Sequence, residues 1–204
     1  MQGRDAMDLL QEHADVVAKA IADGLHDQVN AAADLVIAAL SSGGKLITCG
    51  NGGSAADAQH IAAELTGRFE RERRPLGAIA LTTNTSGLTA IANDYGYKEV
   101  FVRPLQGLGR PGDVLLGLST SGNSENVLRA LRWARQNGIR TIGLSGAGGR
   151  RMAGLCDVAI QVPSHNVARI QELHIFIGHA LCALVEQTMF PEAVDAHAPN
   201  IRPK

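Results

Sequence analysis

Apolar residues recur at helical spacing from about Met7 to Leu40, through Val16, Val17, Ala20, Ile21, Leu25, Val29, Ala32, Leu35 and Val36. Positions three and four apart share one face of a helix, so the stretch predicts helix throughout. No proline interrupts it, and Gly24 or Asp27 offers a break into two helices. Ser41-Ser42-Gly43-Gly44 ends it, since glycine accepts the left-handed backbone that closes a helix. Beyond Gly44 the pattern changes. Short apolar runs at 45–49, 77–81, 113–118, 140–144 and 157–162 alternate with helical stretches at 55–65, 86–92, 124–137 and 169–189. A further helix is predicted over 100–108, where Pro104 limits its length. Alternating β and α units predict an α/β three-layer sandwich: a five-stranded parallel sheet with helices on both faces. Ligands of such sheets bind beyond the carboxyl ends of the strands. Chemistry is therefore expected in the loops after Cys49, Leu81, Leu118 and Leu144.

This pattern divides the chain into an N-terminal helical segment, 1–42, an α/β domain, 43–190, and a tail, 191–204. The helical segment is apolar enough to pack against a second subunit or to cover its own sheet; the first is the expectation taken here. The tail is rich in proline and poor in apolar residues, and is expected to be loose.

Composition narrows the function. With 45% hydrophobic and 19% charged residues, the 204-residue chain can bury a sizeable core and is not a disordered polymer. A formal net charge of −1 provides no bulk attraction to nucleic acid or to an anionic membrane, so neither is expected as a partner. The first residues lack a basic run followed by an apolar stretch, so no export leader is expected. The apolar run 175–185 is too short to span a bilayer and carries His179. Cys49, Cys156 and Cys182 are far apart and form no C-x-x-C pair. They read as buried thiols of a reducing compartment, and a cytoplasmic location is expected.

Two loops carry candidate chemistry. The first, Gly50-Asn51-Gly52-Gly53-Ser54-Ala55, lies between a strand and a helix. Its glycines fit a dinucleotide fingerprint only loosely. That fingerprint needs an acidic residue at the end of the next strand, where this chain has Leu81-Thr82-Thr83. What remains is a glycine loop that turns backbone N–H groups and Ser54 toward a polar ligand at a helix N-terminus. The second loop, Ser119-Thr120-Ser121-Gly122-Asn123-Ser124, follows a buried strand and opens a helix. One hydroxyl suffices for a helix cap. A run of hydroxyls at a helix N-terminus is more than capping requires, and suits a phosphate.

His60 and Glu64 stand one turn apart on the helix after the first loop. Such a pair can share a divalent metal, act as orienter and base, or merely decorate a surface. On the last helix His179 sits within an apolar run, where a lone histidine is commonly a satisfied core residue. Gln171 precedes it by eight residues, about 12 Å of helix rise. One ion could touch both only if the side chains lean together. His174 is a local competitor.

At these residues the chain resembles a known family. Residues 112–126, GDVLLGLSTSGNSEN, look like the sugar-phosphate signature of SIS domains, a flavodoxin-like fold. Residues 50–65, GNGGSAADAQHIAAEL, with Ala92 to Gly96 and Arg169 to His174, resemble phosphoheptose isomerases. That resemblance implies an aldose–ketose isomerase acting on sedoheptulose 7-phosphate, the first step of bacterial heptose biosynthesis. It implies a homotetramer with active sites between subunits, and one zinc per subunit on His60, Glu64, Gln171 and His179. Glu64 would be the catalytic base and His179 the acid. Phosphate and sugar contacts would come from Ser54, Ser119, Thr120, Ser121 and Ser124. The hydroxyl chain would meet Asn51, Gly52, Gly53, Glu64, Arg68, Asn93, Asp94 and Gln171. Some members carry an acidic substrate contact where this chain has Ala168.

A second group is also similar: tetrameric SIS-fold proteins that bind the replication initiator DnaA and are not enzymes. Arg68 to Arg73 and Pro163 to His165 resemble it. That group lacks the equivalents of Glu64 and His179, so the isomerase is the expectation. A sugar-phosphate-sensing regulator would need a basic recognition helix, which the N-terminal stretch does not supply.

Overall fold

A computed structural model describes residues 4–192. The expected loose tail, 191–204, lies outside the described residues from 193 on. Helix α1, Ala6–Ala22, begins with a reciprocal cap: the Asp5 carboxylate accepts the Asp8 N–H, and the Asp8 carboxylate accepts the Asp5 N–H. Gly24, at φ +72°, adopts a left-handed turn that a side chain would resist, and the chain re-enters helix as α2, Leu25–Ser41.

Five strands follow: β1, Leu46–Gly50; β2, Ala78–Ala80; β3, Val114–Leu118; β4, Arg140–Gly146; and β5, Val158–Val162. All pair in parallel in the order β2-β1-β3-β4-β5. Every residue of β1 and β3 is buried, which is why these strands read as continuous apolar runs rather than alternating ones. The helices between them are α3, Gly53–Thr66; α4, Thr85–Tyr95; α5, Val102–Leu108; α6, Glu125–Gln136; α7, Arg150–Ala153; and α8, Val167–Met189.

The core has two faces. Leu46, Val114, Leu116, Leu118, Ile142 and Leu144 pack against α2, α3 and α8. Ile47, Cys49 and Leu115 pack against α5 and α6, where Val127, Leu128, Leu131 and Ala134 form the inward stripe. Asp113 anchors the lower edge. Its buried carboxylate accepts the Lys45 N–H at 3.0 Å, the Lys45 Nζ at 2.6 Å and the Arg110 N–H at 2.8 Å. The starts of β1 and β3 are thereby held level, and the register runs from Leu46 beside Val114 to Gly50 beside Leu118.

The chain leaves β1 toward β2 on one side and returns through β3 on the other. Between β1 and β3 the winding reverses, and a crevice opens beyond their carboxyl ends. The two loops singled out from the sequence emerge at this point, side by side. Helix α3 starts two residues earlier than its pattern predicts, and α4 runs on to Tyr95. The short helix α7 and a 3-10 turn, Tyr97–Glu99, have no counterpart in the sequence reading, because neither is long enough to show a period. Among the described residues no helix is long and apolar enough to cross a membrane.

Candidate active site

The loop after β3 gathers its hydroxyls. Ser119 Oγ lies 2.9 Å from Ser124 Oγ and 3.5 Å from Ser121 Oγ. Ser124 is the N-cap residue of α6, yet its side chain makes no capping bond; it turns to Ser119 instead. That departs from what capping alone would require. The Thr120 carbonyl accepts the Gly146 N–H at 2.9 Å, tying the loop to the end of β4. Gly122, at φ +64°, is pressed so close that an added Cβ would stand 2.3 Å from Gly149 Cα.

The loop after β1 is tied to this one by side chains. Asn51 Nδ2 donates to Asn126 Oδ1 at 3.0 Å, and Asn126 Nδ2 donates back to Asn51 Oδ1 at 2.8 Å. The Tyr97 hydroxyl also donates to Asn51 Oδ1, at 3.1 Å. The Asn51 amide is thus spent on joining the glycine loop to the first turn of α6. Gly52, at φ +57°, is the N-cap of α3, and Ser54 lies buried in that helix's first turn. Gly53 touches α8: a Cβ there would fall 2.3 Å from Gln171 Nε2.

Helix α3 then presents His60 and Glu64 toward α8. His60 Nε2 lies 3.0 Å from Glu64 Oε1 and 3.0 Å from His179 Nε2. One ligand atom from each residue falls within 4.8 Å of the others. Tetrahedral zinc with nitrogen and oxygen ligands near 2.0–2.1 Å holds those ligands about 3.3 Å apart. The observed spacing and the donor set, two imidazoles and a carboxylate, fit such an ion. His179 is partly buried, not enclosed in the core. Phe69 stacks on its ring, with centroids 5.3 Å apart and planes at 20°.

His174 does not compete. It is fully buried, and its ring nitrogens find no hydrogen-bond partner among the described residues. Burial pushes its imidazole down to about 4, and the Ser145 backbone offsets this only partly. One turn before His60, Asp57 has a buried carboxylate oxygen with no partner among the described residues, and burial raises its carboxyl above the ordinary range.

Three further residues were expected to meet the hydroxyl chain. Asn93 and Asp94 lie exposed on α4, where Asn93 Nδ2 donates to Asp94 Oδ1 at 2.9 Å. Arg68 is exposed and meets Glu72 at 3.5 Å. Sequence reasoning missed Phe69, Asn126 and Tyr97. Glu186 was legible in principle: it is a lone carboxylate on an apolar helix face, and it proves to be buried. All three cysteines are free; Cys49 and Cys182 are buried, Cys156 partly so, and burial pushes each thiol up to about 12.

The SIS domain profile matches residues 10–146. A phosphoheptose isomerase of Rhodospirillum rubrum is 59% identical over 158 residues, 78% of this chain and 84% of that protein. This chain belongs to the phosphoheptose isomerase family. The phosphoheptose isomerase of Nitratiruptor sp. is 55% identical over 179 residues, 88% of this chain and 95% of its own length. The solved structure of the phosphoheptose isomerase from Neisseria gonorrhoeae matches with a TM-score of 0.82 and 45% identity, covering 87% of this chain and 95% of that one. The chain is accordingly an isomerase, the first of the two expectations drawn from its sequence.

Proposed function

We propose that the chain converts sedoheptulose 7-phosphate to D-glycero-D-manno-heptose 7-phosphate through an enediol. The observation that carries this reading is the meeting of Glu64 and His179 across α3 and α8, with the hydroxyl loop after β3 opening into the crevice between β1 and β3. Aldose–ketose exchange moves a proton between neighbouring carbons, and needs a base, an acid and an anchor that keeps the chain in register. The phosphate is held by Ser119, Thr120, Ser121 and Ser124 at the N-terminus of α6. Backbone N–H groups of Gly52 and Gly53, with Ser54, hold hydroxyls of the sugar. Glu64 takes a proton from C1 of the ketose while His179 delivers one to the oxygen on C2, giving the enediol. Return of a proton to C2, with loss of the hydroxyl proton on C1, completes the aldose.

His60, Glu64 and His179 would hold a zinc ion, with Gln171 as a further ligand. When bound, the ion supplies a Lewis acid for the reacting oxygens. A carboxylate shared with an ion is a weaker base, so Glu64 balances the two duties.

The assembly proposed is a homotetramer with Arg68, Asn93 and Asp94 completing sites between subunits. Its support is an apolar surface on α1, α2 and α8. Leu10, Ile21 and Phe176 are 65%, 68% and 61% exposed, and a groove of about 470 Å³ runs beside Ile21 and Phe176. Single exposed apolar residues are ordinary, but a contiguous apolar face of this kind marks an interface.

A coupled assay on sedoheptulose 7-phosphate, with and without chelator, tests the function. Glu64→Gln is expected to lower kcat by at least about a thousandfold while sugar-phosphate binding survives. Full activity in that variant would remove Glu64 from the mechanism.

A further inference from the structure

Glu186, near the end of α8, is almost fully buried, yet every side of its carboxylate is occupied. Oε1 accepts the Phe69 N–H at 2.8 Å and Arg73 Nε at 2.9 Å. Oε2 accepts the N–H groups of Glu70 and Arg71, both at 2.8 Å. The Arg73 side chain is itself 0% exposed. Its Nη1 donates to the carbonyls of Leu65 at 2.9 Å and Gly67 at 2.8 Å, and its Nη2 donates to the carbonyl of Glu64 at 2.8 Å. The pair therefore grips three pieces of chain at once: the end of α3, the segment 67–73, and α8.

A buried ion pair is poor evidence for stability, because well-packed apolar residues of similar volume commonly serve as well. What a fully satisfied pair does specify is geometry. Here the geometry delivers Phe69 onto His179. The Phe69 ring stacks on one side of the imidazole, and His60 meets it at 5.1 Å with the planes at 61°. Rotation of an imidazole about its last torsion is otherwise broad. The stack fixes the plane of the ring, and in that plane Nε2 lies 3.0 Å from His60 Nε2. The same segment carries Arg68, next to Phe69.

We propose that Phe69 is a positioning residue for His179, and that Glu186 and Arg73 are the device that docks it. The proposal rests on the proton-transfer role given to His179 above, and its test separates the two. The full-length protein is compared with Phe69→Leu, Phe69→Tyr, Glu186→Gln and His179→Gln. The readouts are kcat, KM, the thermal midpoint, cobalt(II) affinity, and the His179 ring nitrogen signals of metal-free, 15N-histidine-labelled protein.

Phe69→Leu is expected to lower kcat and cobalt affinity each about tenfold, as loss of a ligand-orienting neighbour does. KM should change less than about twofold, since no substrate contact is removed. The His179 ring signals should move, the thermal midpoint should stay near that of the parent, and Phe69→Tyr should restore kcat, cobalt affinity and the ring signals. Glu186→Gln should move the same signals in the same direction; if it does not fold, Phe69→Leu decides alone. A Phe69→Leu protein with parental kcat, cobalt affinity and ring signals overturns the proposal, whatever its thermal midpoint. Full activity in His179→Gln would instead overturn the acid role, while displaced ring signals in Phe69→Leu would still establish the positioning.

Discussion

At the scale of single residues, an acid response of the fold belongs to a group outside the chemistry. His174 titrates at about 4 when folded against an ordinary 6.5, because burial disfavours its charged form. Between those values the unfolded chain binds a proton that the folded chain does not. Stability therefore rises with pH across this window and falls as the solution is acidified from 6.5 toward 4. The full loss is about 3 kcal/mol, from the linkage of pKa to free energy. Urea titrations at pH 7 and pH 4.5 should show it, and His174→Leu should flatten the difference between them. A parental slope in that variant would assign the acid sensitivity elsewhere. Residue placements were legible where they rested on local spacing, as for His60 and Glu64 one turn apart, or on a run of hydroxyls after a strand. They were not legible where they rest on contact across the chain. Nothing near Phe69 in the sequence shows that it meets His179, and nothing near Asn51 shows that its amide is occupied by Asn126.

At the scale of elements, the strands and long helices follow from two periods, two residues and 3.6 residues, and the sequence shows both. The five strands were expected from them, and a break at Gly24 or Asp27 from residue type; it falls at Gly24. The order β2-β1-β3-β4-β5 was not readable from periodicity, because apolar runs do not say which neighbour they pair with. The turn between β3 and α6 shows how closely its parts are fitted. Gly122→Ala would place a Cβ at positive φ and against the Gly149 backbone. The left-handed conformation alone costs about 1–2 kcal/mol. The loop is expected to shift, raising KM for the sugar phosphate by about tenfold, the equivalent of about 1.4 kcal/mol. Isothermal titration with inorganic phosphate checks the same loop without turnover. Unchanged phosphate affinity would show that the hydroxyl loop is not the anchor.

At the scale of the whole molecule, the apolar surface of α1, α2 and α8 is the part most out of keeping with an isolated chain. Charging it should divide the proposed assembly. Phe176→Glu together with Ile21→Glu is expected to reduce the mass seen by light scattering to that of a smaller species, with the far-ultraviolet dichroism kept. An unchanged mass would move the interface elsewhere. The order in which the parts lie along the chain has its own consequence. Helix α8 supplies His179, Gln171 and Glu186, and its apolar face closes one side of the core. A chain emerging from the ribosome holds both anchoring loops well before that helix has been translated. On the mechanism proposed, a chain terminated before α8 would have the phosphate loop without its acid, and such a fragment is expected not to turn over.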